Sequence, residues 1–193
     1  MIHPISAIIF AGGKSSRMGQ DKSLLPFGEY KSLAAFQYAK LNRLFENVYI
    51  SAKEDKFDLT TAVIQDILQE SSPLIGLISI FETLTVDEVF VLSVDAPFVD
   101  KEIIERLLEV NDPLFDIVVA QSPNGVQPLC GIYKRSILPL AYAQLKEGNH
   151  RLNDLLAVAN TCFVTFEEES LFANLNHPEE YQEAIKRFGN SAE

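Results

Sequence analysis

The sequence has no tryptophan, only two cysteines and three histidines, and fewer basic than acidic groups. Cys130 and Cys162 are far apart, with no C-x-x-C pair and no clustered histidine beside them. Neither a zinc site nor a disulfide framework is indicated, and a reducing cytoplasm is the compartment expected. Sixteen Lys and Arg against 27 Asp and Glu give a formal net charge of −11. General nucleic-acid binders and proteins held on anionic membranes need a basic face, so both classes are disfavoured. The longest apolar run near the N-terminus, Ala7 to Ala11, is too short for a membrane span and leads into glycines rather than a cleavage pattern. A soluble, unprocessed chain is expected. No internal repeat, low-complexity tract or long linker breaks it up. With 47% hydrophobic residues in 193 positions, one domain over 1–193 is expected, burying roughly 70% of the surface its unfolded form exposes.

What the chain does contain is unevenly placed. Residues 1–53 carry seven basic and three acidic groups, a balance of +4, which leaves −15 for residues 54–193. An acidic protein with one basic end can still bind an anion locally. Short β-rich runs alternate with amphipathic segments, the pattern of an open, mostly parallel sheet covered by helices on both faces. Strands are expected at Ile5–Ala11, Val48–Ala52, Ala62–Gln65, Glu88–Val94, Asp116–Gln121, Gln127–Tyr133 and Thr161–Phe166. An apolar stripe interrupted by Gln37 and Lys40 predicts a helix over 32–46. Ser72-Pro73 reads as an N-cap and first helical residue for a helix to about Leu84, and Asp100 caps another through Val110. Further helices are expected over 136–146 and 150–158, and from His177-Pro178 to Phe188.

Ligands of open α/β sheets bind beyond the carboxyl ends of the parallel strands. Here those ends deliver Phe10 to Gly13, Ser51, Asp66 and Asp95 to one rim. The richest stretch runs from Phe10 through Gly12, Gly13, Lys14, Arg17 and Gly19 to Lys22. Glycines let backbone N–H groups turn toward an anion, and Lys or Arg neutralise phosphate oxygens. The stretch is not a P-loop, which needs a glycine where Ile8 stands, and it does not fit G-x-G-x-x-G. A glycine-rich turn with solvated charges is the plain structural alternative. Asp95, at the end of an apolar strand in Ser93-Val94-Asp95-Ala96-Pro97, can hold Mg²⁺ against phosphate oxygens or simply form the turn. Beside a phosphate loop, metal binding is the better reading.

The run from Phe10 to Lys22, with its arginine, Met-Gly and trailing lysine, resembles the signature of nucleotidyltransferases that activate sugars, isoprenoid precursors and cofactors. Within that superfamily the chain is most similar to the molybdenum cofactor guanylyltransferases. Further matches are Val63-Ile64-Gln65-Asp66, Pro73-Leu74-Ile75-Gly76, Asp95-Ala96-Pro97, Gln127 through Tyr133, and Phe172 through Glu180. The resemblance implies a Rossmann-like fold and transfer of GMP from GTP to molybdopterin, giving the guanine dinucleotide cofactor and pyrophosphate.

It also implies roles. Phe10, Ala11, Gly12 and Gly13 would contact the nucleotide, Lys22 its phosphates, Asp66 the GTP, and Asp95 both GTP and Mg²⁺. Ser51 stands where the family commonly has Asn, and His177 where it has Thr. Arg151 matches a basic position near the acceptor; Asn174 and Asn176 match an Asn-x-Asn that reaches metal or acceptor. As plain structure, Arg151 reads as an exposed helix N-terminal residue, Asn176 as a cap, and Gly76 as either a close approach to base or ribose or a packing contact. The implied division is a nucleotide-binding part over 1–110 and an acceptor-binding part over 111–193, in a monomer. Other cofactor-maturation proteins are conceivable partners. The attacking phosphate oxygen is already ionised, so no nucleophile triad is needed. Lys14, Arg17, Lys22 and Mg²⁺ on Asp95 would stabilise charge at the α-phosphorus. Two other readings stand beside this one: a nucleotidyltransferase using CTP or another acceptor, and a nucleotide-binding regulatory protein without catalysis.

Overall fold

The computed structural model describes residues 2–12 and 21–190, the side chain of Asn190 excepted. Seven strands form one sheet: β1 (His3–Phe10), β2 (Phe45–Ala52), β3 (Val63–Gln65), β4 (Glu88–Ser93), β5 (Ile117–Ser122), β6 (Gly125–Lys134) and β7 (Thr161–Thr165). Their spatial order is β3-β2-β1-β4-β6-β5-β7. β6 runs antiparallel to both β4 and β5, while the remaining pairs are parallel. Among the described residues six α-helices cover the sheet: α1 (Leu33–Leu41), α2 (Pro73–Thr83), α3 (Lys101–Glu109), α4 (Leu138–Lys146), α5 (Leu152–Val158) and α6 (Pro178–Asn190).

The alternation of side chains along a strand divides the core in two. Ala7 and Ile9 of β1 point to one face, with Leu33 and Phe36 of α1, Ile103, Ile104 and Leu107 of α3 and Ala184 of α6. Ile8 and Phe10 point to the other, with Leu74, Leu77 and Phe81 of α2, Ala141 of α4 and Leu155 of α5. Both faces being covered explains why β1 reads as a continuous apolar run. Among the described residues no helix is long and apolar enough to cross a membrane.

Most expected elements are present with ends displaced by a residue or two. Ser72 accepts from the Ile75 N–H with Pro73 opening α2, and Asp100 accepts from the Ile103 N–H to open α3. One boundary differs more. The stripe over 32–46 is two elements: α1 stops at Leu41, Asn42 caps it, and Phe45 already begins β2 beside His3 of β1. Leu44 and Phe45 keep an apolar spacing because the turn and the strand bury them in the same core.

Candidate active site

β1 and its neighbours bring their carboxyl ends to one rim. Phe10 is in register with Ser51 of β2 and Ser93 of β4. The strand pairing continues past the ends: the Ala11 N–H donates to the Ser51 carbonyl at 2.9 Å and the Val94 N–H to the Phe10 carbonyl at 2.9 Å. Beyond this rim lies a cavity of about 500 Å³ whose lining includes Phe10, Ala11, Gly12, Lys22, Ser51, Asp66, Gly76 and Asp95. A second cavity of about 450 Å³ adjoins it, lined among others by Gln127, Leu129, Cys130, His150, Arg151 and Asn174. Pro73, Ser93, Asp95 and Leu129 line both. Asp95 therefore stands at the junction of a two-lobed cleft.

Asp95 is closely held. One carboxylate oxygen accepts from the Lys22 ammonium at 2.5 Å and the other from the Ser93 hydroxyl at 2.5 Å. The two side chains are only 16% and 15% exposed, which makes their attraction stronger than that of a surface pair. Lys22 also donates to Asn176 Oδ1 at 3.2 Å, so the side chain of Asn176 faces the signature lysine rather than capping α6. The start of α6 is satisfied instead by Glu180, whose carboxylate accepts from the N–H groups of Asn176 and His177.

Lys22 opens a single 3-10 turn, Lys22–Leu24, capped by Asp21. Asp21 accepts from the N–H and hydroxyl of Ser23 and forms an ion pair with Lys56, from the segment after β2. Burial works to raise the Asp21 pKa, but hydrogen bonds from Lys56 and Ser23 outweigh it and hold the carboxyl below its ordinary value. Asp21 and Lys56 thus fix the backbone that presents Lys22.

From below, α1 braces the loop that carries Asp95. The side-chain amide of the fully buried Gln37 donates toward the carbonyls of Ser93, Val94 and Ala96 at 3.3, 3.2 and 3.0 Å. Lys40 donates to the carbonyls of Pro97 and Val99 at 3.2 and 2.8 Å. Burial pulls the Lys40 ammonium down to about 7 against the attraction of Cys130 and Asp100, and pushes the Cys130 thiol up to about 12. Gln37 and Lys40 are the polar interruptions of the apolar stripe; their helical spacing beneath the strand end was the available signal.

The other expected residues are placed as follows. Asp66 accepts from the Ser71 hydroxyl at 2.7 Å at the edge of the first cavity. A Cβ built at Gly76 would lie 2.7 Å from Phe10 Cε1 and 3.2 Å from Ser51 Oγ, so α2 needs glycine there for packing as well as for the cavity. A Cβ at Gly12 would meet nothing closer than 3.8 Å, so packing alone does not demand glycine at that position. Arg151 precedes α5 without capping it, exposed on the wall of the second cavity beside His150. Asn174 lines that same cavity. Gly13, Lys14 and Arg17 lie outside the described residues. No site role for Gln127–Cys130, His150, Ser71 or Ser72 follows from the sequence pattern. Because β6 is antiparallel, its first residues, not its last, reach the rim, with Cys130 opposite Leu92 of β4.

The described residues contain no cluster of three or more His, Cys, Asp or Glu able to hold a metal alone. Mg²⁺ commonly takes one or two carboxylates, several waters and substrate phosphates. Asp95, a single carboxylate on both cavities, fits a site in which waters and substrate phosphates supply the remaining ligands, with Lys22 sharing the carboxylate.

Residues 7–162 match the family described as MobA-like NTP transferase domain. A molybdenum cofactor guanylyltransferase of Campylobacter jejuni subsp. jejuni serotype O:6 is 39% identical over 183 residues, covering 94% of this chain and 95% of that protein. One from Helicobacter pylori strain J99 is 34% identical over 194 residues, covering 96% and 90%. The crystal structure of molybdopterin-guanine dinucleotide biosynthesis protein A from Archaeoglobus fulgidus superposes with a TM-score of 0.81 at 17% identity, covering 96% of this chain and all of that one.

Proposed function

Since the chain belongs to the MobA-like NTP transferase family, we propose that it transfers GMP from GTP to the terminal phosphate of molybdopterin, releasing pyrophosphate. The observation that carries this reading is the sharing of Asp95 by two adjoining cavities, with Lys22 bonded to it. A transferase must bring two substrates to one reacting centre, and a binding protein has no use for a second cavity meeting the first at a carboxylate.

The first cavity takes the nucleotide. Phe10, Ala11 and Gly12 offer backbone to it, Ser51, Asp66 and Gly76 line the remainder, and Lys22 supplies charge to its phosphates. Arg151, Asn174 and Asn176 serve the anionic acceptor. Residues 1–110 thus mostly bind nucleotide and residues 111–193 mostly acceptor, all within one chain, so a monomer suffices. Nucleotidyltransferases of this kind use a divalent cation, and Asp95 is the residue that would hold it as Mg²⁺. When bound, the ion withdraws charge from the phosphate oxygens and favours departure of pyrophosphate.

An acceptor phosphate oxygen, ionised at neutral pH, attacks the α-phosphorus as the bond to the β-phosphate oxygen breaks, and both electrons leave with pyrophosphate. No proton must be removed from the nucleophile, so the step asks for no protein base. The work left to the protein is positioning and charge compensation. Lys22 is held for it by Asp21, Lys56 and Asn176, and Asp95 by Ser93 and Gln37. Cofactor-maturation proteins that deliver the acceptor are the partners this role calls for.

The test is incubation with molybdopterin, Mg²⁺ and each nucleoside triphosphate, following pyrophosphate release. Release with GTP that requires molybdopterin is the expected outcome. Equal or faster release with CTP would overturn the guanylyl assignment, and release indifferent to molybdopterin would overturn the acceptor.

A further inference from the structure

The two cavities are joined by a side-chain bond away from Asp95. His150, on the wall of the second cavity, places Nδ1 3.0 Å from the hydroxyl of Ser72, which lines the first. Ser72 Oγ accepts from the Ile75 N–H at 3.2 Å as the cap of α2, and in the tautomer with Nδ1 unprotonated its own proton is donated to Nδ1. The other ring nitrogen then carries hydrogen and faces the Glu70 carboxylate at 3.4 Å. Glu70 is 78% exposed and contributes little through water, which leaves the Ser72 bond as the effective link.

The segment around His150 is otherwise braced from its own side. Gly148, at φ +72°, ends α4 in a left-handed turn that a side chain would strain. Asn149 donates to Asp154 and accepts from the Arg151 N–H, and Gln144 donates to the Arg151 carbonyl. These bonds make residues 149–151 a unit that also carries Arg151. Ser72 belongs to the opposite unit, directly before Pro73 and four residues before Gly76, all on the nucleotide cavity.

We infer that His150 is a positioning residue that couples the two cavities: nucleotide seated against residues 71–76 fixes Ser72, and through the Ser72–His150 bond orders the segment carrying Arg151 before the acceptor arrives. This rests on the nucleotide assignment proposed above. A first ligand that orders a second site lowers the ordering cost of the second ligand.

Hydrogen exchange of the whole chain, with and without GTP and Mg²⁺ and with no acceptor present, tests it. GTP is expected to slow exchange at 66–76 and also at 148–153. In His150→Ala the slowing at 148–153 should vanish while that at 66–76 remains. His150→Gln, whose amide oxygen can accept from Ser72, should restore part of it. Ser72→Gly keeps a tolerated helix start without the hydroxyl and should reproduce the loss. In turnover, His150→Ala should raise the KM for molybdopterin roughly five- to tenfold with the KM for GTP within about twofold. Protection at 148–153 that survives in His150→Ala and Ser72→Gly overturns the inference. So does wild-type protection confined to 66–76. Protection of neither segment would overturn the nucleotide assignment itself, and the coupling with it.

Discussion

The two lobes of the cleft are built by different rules. The lobe proposed for the nucleotide takes Phe10 to Gly12, Ser51, Asp66 and Asp95 from the carboxyl ends of adjacent parallel strands, or just beyond them, and adds the start of one helix. The lobe proposed for the acceptor takes Gln127 to Cys130 from the beginning of the reversed strand β6, and adds residues from the turn before α5 and the segment before α6. Parallel strands deliver their ends to one rim by necessity, so the first lobe follows from the fold class. The second depends on one strand entering backwards and on loops whose paths no local pattern encodes.

The contrast can be broken most directly at the residue the lobes share. Asp95→Asn is expected to cut metal-dependent GMP transfer by about 10²–10³-fold while the fold persists, since removal of one preorganised charge contact at the reacting centre typically has that effect. Pyrophosphate release and circular dichroism check it; near-normal turnover would remove Asp95 from the reacting centre. Arg151→Ala touches only the second lobe. It should raise the KM for molybdopterin roughly tenfold with the KM for GTP almost unchanged, the scale of one lost charge-assisted bond. A parallel rise in the GTP constant would show that the lobes are not separate.

Gly76→Ala touches only the first. The new methyl must displace the Phe10 ring, so GTP binding measured by calorimetry should weaken by roughly three- to tenfold, with the acceptor constant unmoved. The smallest effect is expected beneath the junction. Lys40 titrates near 7 in the fold against an ordinary 10.5, so between pH 7 and 9 the unfolded chain holds more protons and stability rises with pH. Above 9 the trend is opposed, because Cys130 keeps its proton to about 12 in the fold and loses it in the unfolded chain. Lys40→Met should flatten the rise between pH 7 and 9 in urea unfolding; an unchanged slope would place its origin elsewhere.

Legibility in the sequence followed the same division. Each described residue expected at the nucleotide, from Phe10 to Asp95, lines the first cavity, because strand ends and a glycine-rich turn are local features. Arg151 and Asn174 were found through resemblance rather than periodicity, and they do line the second cavity. Their neighbours Gln127, Cys130 and His150 carried no local sign of a site. Gln37 and Lys40 were visible only as polar gaps in an apolar stripe. Their purpose, holding five carbonyls of the loop around Asp95, depends on α1 packing against β1 and β2 so that its polar residues lie under that loop. The helix expected over 32–46 failed at its end for a related reason: Leu44 and Phe45 satisfy a helical spacing while the core they enter is reached through a turn and a strand.

By itself the sequence determined the alternation of strands and helices, the rim at which β1 to β4 end, and the signature lysine and aspartate. All of these rest on periods of two or 3.6 residues and on short motifs, which near neighbours enforce. Tertiary structure alone decided the order of the strands, the reversal of β6, the meeting of two cavities at Asp95 and the bond from Ser72 to His150, 78 residues away. Such contacts join segments distant in the chain. Their partners are chosen by how whole faces pack, and no single segment carries that information.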